Sequence, residues 1–207
     1  MVFRIGCDLD GVIFEQMDLF LPYYQRFNCE IKSKENITDY DPEKLGFPLE
    51  EFQKMLISLE GNGDYQGMEP IPGAIESVNK FYEKLEAEIY YITARGSCLD
   101  LSGKESVMND SRFSLNKYNA KFHELYHSSP KLNKIKELKI GVMIEDNPEE
   151  IKLLSENDIC CICVNRPYNT EIKENKFIKK CNANEIFDCF INNYSKFFDV
   201  NLTSSIL

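Results

Sequence analysis

Five short apolar runs, each closing on small or acidic residues, recur along this chain with helical patterns between them: 2–7, 88–93, 121–127, 140–144 and 159–164. Four are rich in Ile, Val, Tyr or Phe, the residues that suit a buried strand, and the third is more mixed. Between them, 74–85 places Ile75, Val78, Phe81, Tyr82 and Leu85 on one face at spacings of three and four. Shorter helical patterns cover 130–138 and 148–157, the latter with Pro148 at a permitted first-turn position. A long apolar stripe from Ile186 to Phe198 predicts a helix over 185–200 packed on the sheet. Strands alternating with helices predict an α/β fold: a Rossmann-like three-layer sandwich around a parallel sheet of about five strands. Ligands in such folds bind beyond the carboxyl ends of the strands.

One stretch breaks the alternation. About 55 residues between Phe14 and Pro70 contain no convincing buried strand. Helices are expected over 19–27 and 48–59, with a Gly-rich segment at 61–67 and the turn signal Pro70-Ile71-Pro72-Gly73 behind them. The chain is therefore expected to divide into a core of 1–14 plus 71–207 and a small helical cap over 15–70 inserted after the first strand.

Charge and cysteine content narrow the function. With 24 basic and 34 acidic side chains the net charge is −10, which disfavours nucleic-acid polymers and anionic membranes. The lysines between Lys131 and Lys139 read, apart from one, as the solvated face of a helix. No apolar run approaches the ~18 residues of a membrane span, and the opening residues turn acidic too early for a signal peptide. The eight cysteines then read as reduced thiols, and the expected location is the cytoplasm. Cys160, Cys161 and Cys163 lie in an apolar run without a spaced His or second Cys pair, so a buried strand is the better account than a zinc site.

The residues at the strand ends carry the chemistry. Asp8 and Asp10 flank one residue and precede Gly11, which lets the backbone turn tightly beside them. Glu145 and Asp146 close another expected strand. Buried acids are costly unless paired or metal-bound, and four at one edge suit a hard divalent cation with oxygen ligands. Magnesium fits, because it keeps several waters and takes one or two carboxylates plus a substrate phosphate. Thr93 and Lys131 add a hydroxyl and an ammonium, the groups a dianionic phosphoryl needs.

In order, Asp8-Leu9-Asp10-Gly11, then Ile92-Thr93-Ala94-Arg95, then Lys131, then Glu145-Asp146 resemble the four motifs of the haloacid dehalogenase (HAD) superfamily. The fourteen-residue interval from Lys131 to Glu145 also resembles the spacing of many members. The resemblance implies Asp8 as a nucleophile that forms an aspartyl-phosphate and Asp10 as general acid and base. It implies magnesium on Asp8, the Asp10 carbonyl and Asp146, with Glu145 acting through water. Thr93 and Lys131 would bind the phosphoryl oxygens, and Arg95 would meet either substrate or the acids. Ile5 to Val12, Thr93-Ala94-Arg95, Ile144 to Pro148 and Arg166-Pro167-Tyr168-Asn169 are similar to the deoxyribonucleotidase-like branch, which implies a nucleoside 5′-monophosphate substrate. Phe14, Tyr23, Tyr40 and Tyr65 either stack on a base or pack the cap.

Three alternatives are weighed against this. A phospho-receiver domain also gathers acids, Thr and Lys, but there the acidic pair comes first, and the order here rejects it. A silent phosphate-binding relative, or a phosphatase of another small phosphometabolite such as a sugar phosphate, would keep the same residues, because fold does not settle function at that level. The expected partner in each case is a small phosphomonoester, and no residue pattern sets an oligomeric state.

Overall fold

The computed structural model describes residues 2–198. Among the described residues six strands and seven α-helices follow in the order β1 (Arg4–Cys7), α1 (Met17–Phe27), α2 (Leu49–Gly61), α3 (Ala74–Leu85), β2 (Glu88–Thr93), α4 (Leu101–Lys117), β3 (Glu124–His127), α5 (Leu132–Leu138), β4 (Val142–Glu145), α6 (Pro148–Glu156), β5 (Cys160–Val164), β6 (Ile178–Cys181) and α7 (Ile186–Phe198). The strands form one sheet in the order β3-β2-β1-β4-β5-β6, every pair parallel. Strands β4 and β5 are buried along their whole length, which is why they read as unbroken apolar runs rather than as alternating ones. Cys160, Cys161 and Cys163 are buried strand residues of β5, as expected. The end of the terminal helix pattern, 199–200, lies outside the described residues.

Two elements exceed the sequence expectation. Strand β6 carries consecutive Lys179 and Lys180 and so shows no apolar run, yet it pairs with β5 from Cys161↔Ile178 to Val164↔Cys181. Lysines on an edge strand discourage further pairing at no cost to the core. Helix α4 buries Ser111 and Ser114 beside Val107 and Leu115, so its inner face lacks the stripe that marks a helix. Strand β3 begins at Glu124, later than the 121–127 run; His123 precedes it and its Nδ1 accepts the Ile89 N–H at 3.1 Å.

Packing above and below the sheet follows from the helical stripes. Phe81 of α3 meets Phe187 and Phe190 of α7 at ring distances of 5.2 and 5.1 Å. Between β1 and α3, the chain leaves and returns through a short paired stem. Ile71 donates its N–H to the Ile13 carbonyl at 2.8 Å, Glu15 donates to the Glu69 carbonyl at 3.3 Å, and Phe14 bridges Pro70 in antiparallel sense. The intervening α1 and α2 pack on an aromatic cluster in which Tyr24 and Phe52 meet Phe47 at 5.1 and 5.5 Å. Among the described residues, no helix is long and apolar enough to cross a membrane.

Phe81 is fully buried between two aromatic neighbours. Phe81→Ala is expected to destabilise the fold by about 3–5 kcal/mol through lost transfer energy and the residual cavity, read from urea denaturation; a loss under ~1 kcal/mol would contradict this packing.

Candidate active site

Parallel pairing of β1 with β4 places Cys7 beside Ile144, so the acids that follow each strand emerge side by side. The Asp8 N–H continues the ladder by donating to the Ile144 carbonyl at 2.9 Å. Beyond it the chain coils tightly: Ile13 and Phe14 both donate to the Leu9 carbonyl, and Gly11 donates to Phe14. Gly11 holds φ +73°, and a Cβ there would overlap the Asp146 carboxylate, so the position needs glycine both for conformation and for space.

Asp8, Glu145 and Asp146 are all buried, and each offers an oxygen within 4.8 Å of the others. Lys131, which caps the start of α5, extends a buried ammonium between two of them, 2.7 Å from Asp8 Oδ1 and 2.7 Å from Glu145 Oε2. Glu145 also accepts the N–H groups of Asp146 and Asn147, each at 3.1 Å. Asp146 accepts the Tyr168 hydroxyl on Oδ2. Burial pushes the Asp8 carboxyl up to about 7, against the pull of Lys131 and with Glu145 adding to the rise. Burial, then the charges of Glu145 and Asp8, hold Asp146 well above the usual carboxylate range. Three buried carboxylates face one ammonium, and all their donor atoms are oxygen. That donor set fits a hard divalent cation, which would remove the excess negative charge.

Asp10 faces the other way. Arg95, reached at the end of β2, donates Nε to Asp10 Oδ2 at 2.8 Å and Nη2 to Oδ1 at 2.6 Å, while Nη1 donates to Ser111 Oγ at 2.9 Å. Its guanidinium is buried between the rings of Phe14 and Tyr65, 5.5 and 4.6 Å from their centres. Of the two expectations for Arg95, substrate or acids, the structure displays the pairing with an acid. Thr93, closing β2, is buried, and its Oγ1 accepts the Arg95 N–H at 3.2 Å. Thr93, Lys131, Asp8, Asp10, Glu145 and Asp146 line one cavity of about 630 Å³.

Its opposite wall comes from the segment after β1 and includes Phe20, Tyr24, Phe52 and Glu60. Of the aromatics considered from sequence, Phe14 and Tyr65 are buried against Arg95, Tyr40 lines the cavity beside Tyr168, and Tyr23 carries Arg26 over its ring. Sequence reasoning passed over Ser111, Glu60 and the contact of Tyr168 with Asp146. Ser111 sits in an unrecognised helix, and Glu60, whose Oε1 accepts the Gly96 N–H at 2.7 Å, belongs to a stretch with no motif. Tyr168 stands in a stretch marked by the resemblance, but nothing in that stretch shows that its hydroxyl meets Asp146.

A parallel sheet with acids gathered at its carboxyl edge defines a class, and solved structures that include a haloacid dehalogenase-like hydrolase share the fold. A haloacid dehalogenase-like hydrolase from Xanthomonas campestris is 11% identical with a TM-score of 0.59, covering 96% of this chain and 99% of its own. D,D-heptose 1,7-bisphosphate phosphatase from B. bronchiseptica, complexed with magnesium and phosphate, is 7% identical with a TM-score of 0.55, covering 93% and 99%. CbbY from Rhodobacter sphaeroides, in complex with xylulose-1,5-bisphosphate, is 12% identical with a TM-score of 0.55, covering 89% and 96%. No curated protein sequence matches the chain. The family model described as 5′ nucleotidase, deoxy (pyrimidine), cytosolic type C protein matches residues 1–192, and the chain belongs to that family. It is a HAD-type phosphatase of the nucleotidase-like branch.

The acid cluster has a consequence for stability. Asp8 holds a proton more tightly folded than unfolded, so its contribution to stability is full below the ordinary carboxylate range and is lost as pH rises through about 7. Asp146 acts in the same direction. In chelator at pH 8, Asp8→Asn is therefore expected to melt several degrees above the wild type, with the gap closing by pH 4. A variant that melts lower at pH 8 would show that the cluster is not electrostatically strained.

Proposed function

We propose that this protein is a magnesium-dependent phosphomonoester hydrolase that dephosphorylates nucleoside 5′-monophosphates in the cytoplasm. The observation that carries this reading is the buried Asp8 carboxylate, set against Lys131 within 4.8 Å of Glu145 and Asp146 on the cavity wall.

In this reading Lys131 fixes Asp8 Oδ1 and leaves Oδ2 to attack phosphorus. The new bond gives an aspartyl-phosphate while the bond from phosphorus to the ester oxygen breaks. Asp10 protonates the departing oxygen, then takes a proton from the water that hydrolyses the acyl phosphate and frees inorganic phosphate. Arg95 holds both Asp10 oxygens, so proton transfer at the leaving oxygen requires one of these bonds to be released. Arg95 is thereby a positioning residue for Asp10 rather than a phosphate ligand. Thr93 Oγ1 and Lys131 Nζ bind the phosphoryl oxygens and balance charge during transfer. Asp8, the Asp10 carbonyl and Asp146 would hold magnesium, with Glu145 acting through water. The bound cation supplies positive charge against the carboxylates and the phosphoryl oxygens.

The leaving group is read by the opposite wall, and residues 15–70 act as the specificity cap over a core of 1–14 and 71–207. Phe20, Tyr24 and Phe52 give that wall an apolar, aromatic character suited to a flat base. Each cation lining the cavity is already paired: Lys44 with Asp39, Arg95 with Asp10, and Lys131 with Asp8 and Glu145. Apart from Lys131 and the Arg95 that holds Asp10, the described residues give the cavity lining one further cation, Lys44, which favours a monophosphate with an uncharged leaving group over a bisphosphate.

A panel of nucleoside monophosphates, sugar monophosphates and sugar bisphosphates, assayed with and without magnesium, tests the proposal. Turnover of nucleoside 5′-monophosphates that vanishes in chelator is expected; activity confined to sugar phosphates would remove the nucleotide reading and leave the mechanism standing. Asp8→Asn should abolish turnover, and Asp10→Asn should slow it by roughly 10²-fold or more. Wild-type rates in the Asp10 variant would contradict its acid–base role.

A further inference from the structure

Among the described residues, Tyr168 is the one that donates a hydrogen bond to the Asp146 carboxylate, through its hydroxyl to Oδ2. That contact is built rather than incidental. Tyr168 is buried in a short turn, Pro167–Asn169, after β5. Asn169, fully enclosed beside it, donates Nδ2 to the Asp146 carbonyl at 2.8 Å and to the Val164 carbonyl at 2.9 Å, which ties the turn to the ends of β4 and β5. Arg166 anchors the same turn from the other side, its guanidinium meeting both oxygens of Glu15 at 3.0 and 3.1 Å. Gly11 completes the arrangement, since a Cβ there would strike the Asp146 carboxylate and approach the Tyr168 oxygen to 2.7 Å.

We propose that Tyr168 is the positioning residue of the cation site, holding Asp146 Oδ2 so that Oδ1 faces Asp8 and Glu145. The proposal rests on the reading that these three acids hold a divalent cation. A carboxylate crowded by two others gains by rotating away from them. A phenol pinned by its own turn opposes that rotation and sets the carboxylate before the ion arrives. Partners that orient a metal ligand typically change affinity by roughly 10–100-fold when removed. Tyr168 performs no chemistry on substrate, so its loss weakens capture of the ion and leaves the rate of the loaded enzyme nearly intact.

The test uses metal-stripped full-length protein and Mn²⁺ as probe, with free Mn²⁺ followed by electron paramagnetic resonance. Two replacements grade the donor: Tyr168→Phe, which removes it, and 4-aminophenylalanine at position 168, which keeps the ring and a weaker N–H. Circular dichroism confirms folding of each, and either one suffices if the other fails to fold. The expected result is a Kd for Mn²⁺ raised roughly 10–100-fold in Tyr168→Phe, with the amino form in between. The magnesium concentration for half-maximal activity should rise in parallel while kcat at saturating magnesium holds. Unchanged Mn²⁺ binding in a folded Tyr168→Phe overturns the proposal, as does tighter binding, which would mean that the hydroxyl competes with the ion. If the wild type takes up no Mn²⁺ at all, the cation reading itself falls.

Discussion

Like charges forced together at the edge of the sheet set the terms for everything around them. Strands β1 and β4 pair in parallel, Asp8 follows β1 directly and β4 closes on Glu145 with Asp146 next, so the three acids converge whether or not their repulsion is answered. One ammonium, Lys131, answers part of it. The rest of the neighbourhood keeps each carboxylate apart and oriented: two backbone N–H groups on Glu145, a phenol on Asp146, and a buried guanidinium drawing Asp10 aside. A core this acidic would be poor design for a purely structural domain, because uncompensated buried charge is among the costliest features a fold can carry. The arrangement makes sense where a cation and an anionic substrate complete the balance between them.

Much of this was legible in the sequence because of how parallel sheets expose their ends. A strand buried on both faces must be apolar throughout, so the first polar residue after it marks the carboxyl edge. Asp8, Thr93 and the Glu145-Asp146 pair stand at or just beyond such boundaries. Lys131 closely follows the third apolar run at a helix start, its interval to Glu145 resembles that of the superfamily, and the structure places its ammonium on Glu145. Harder to see were elements whose inner faces are polar. Helix α4 turns Ser111 inward to serve Arg95, and β6 hides behind two lysines. Contacts such as Tyr168 to Asp146 join residues 22 apart through two turns, a relation that no periodicity records.

The cavity has two origins. Its reactive side is assembled from strand ends and helix starts, held by the sheet register to positions that leave little freedom. Its facing side comes from α1, α2 and the turns between them, where aromatic packing and surface pairs such as Lys44 with Asp39 set the contour. Arg95 and Glu60 join the two: the guanidinium lies over Tyr65 while gripping Asp10, and Glu60 of α2 accepts the Gly96 amide just beyond β2. Position of the Asp10 carboxylate and shape of the facing wall are thus mechanically linked through a handful of side chains.

The narrow stem at Ile13–Glu15 and Glu69–Ile71 bears on how such chains diversify. Because the two backbones are already hydrogen-bonded to each other there, the sheet experiences the excursion between them as a closed loop, whatever its content. Closure entropy grows slowly with length, by only about 0.6 kcal/mol for each doubling. A chain built this way can therefore lengthen, shorten or exchange what lies beyond the stem while the sheet beneath keeps its register.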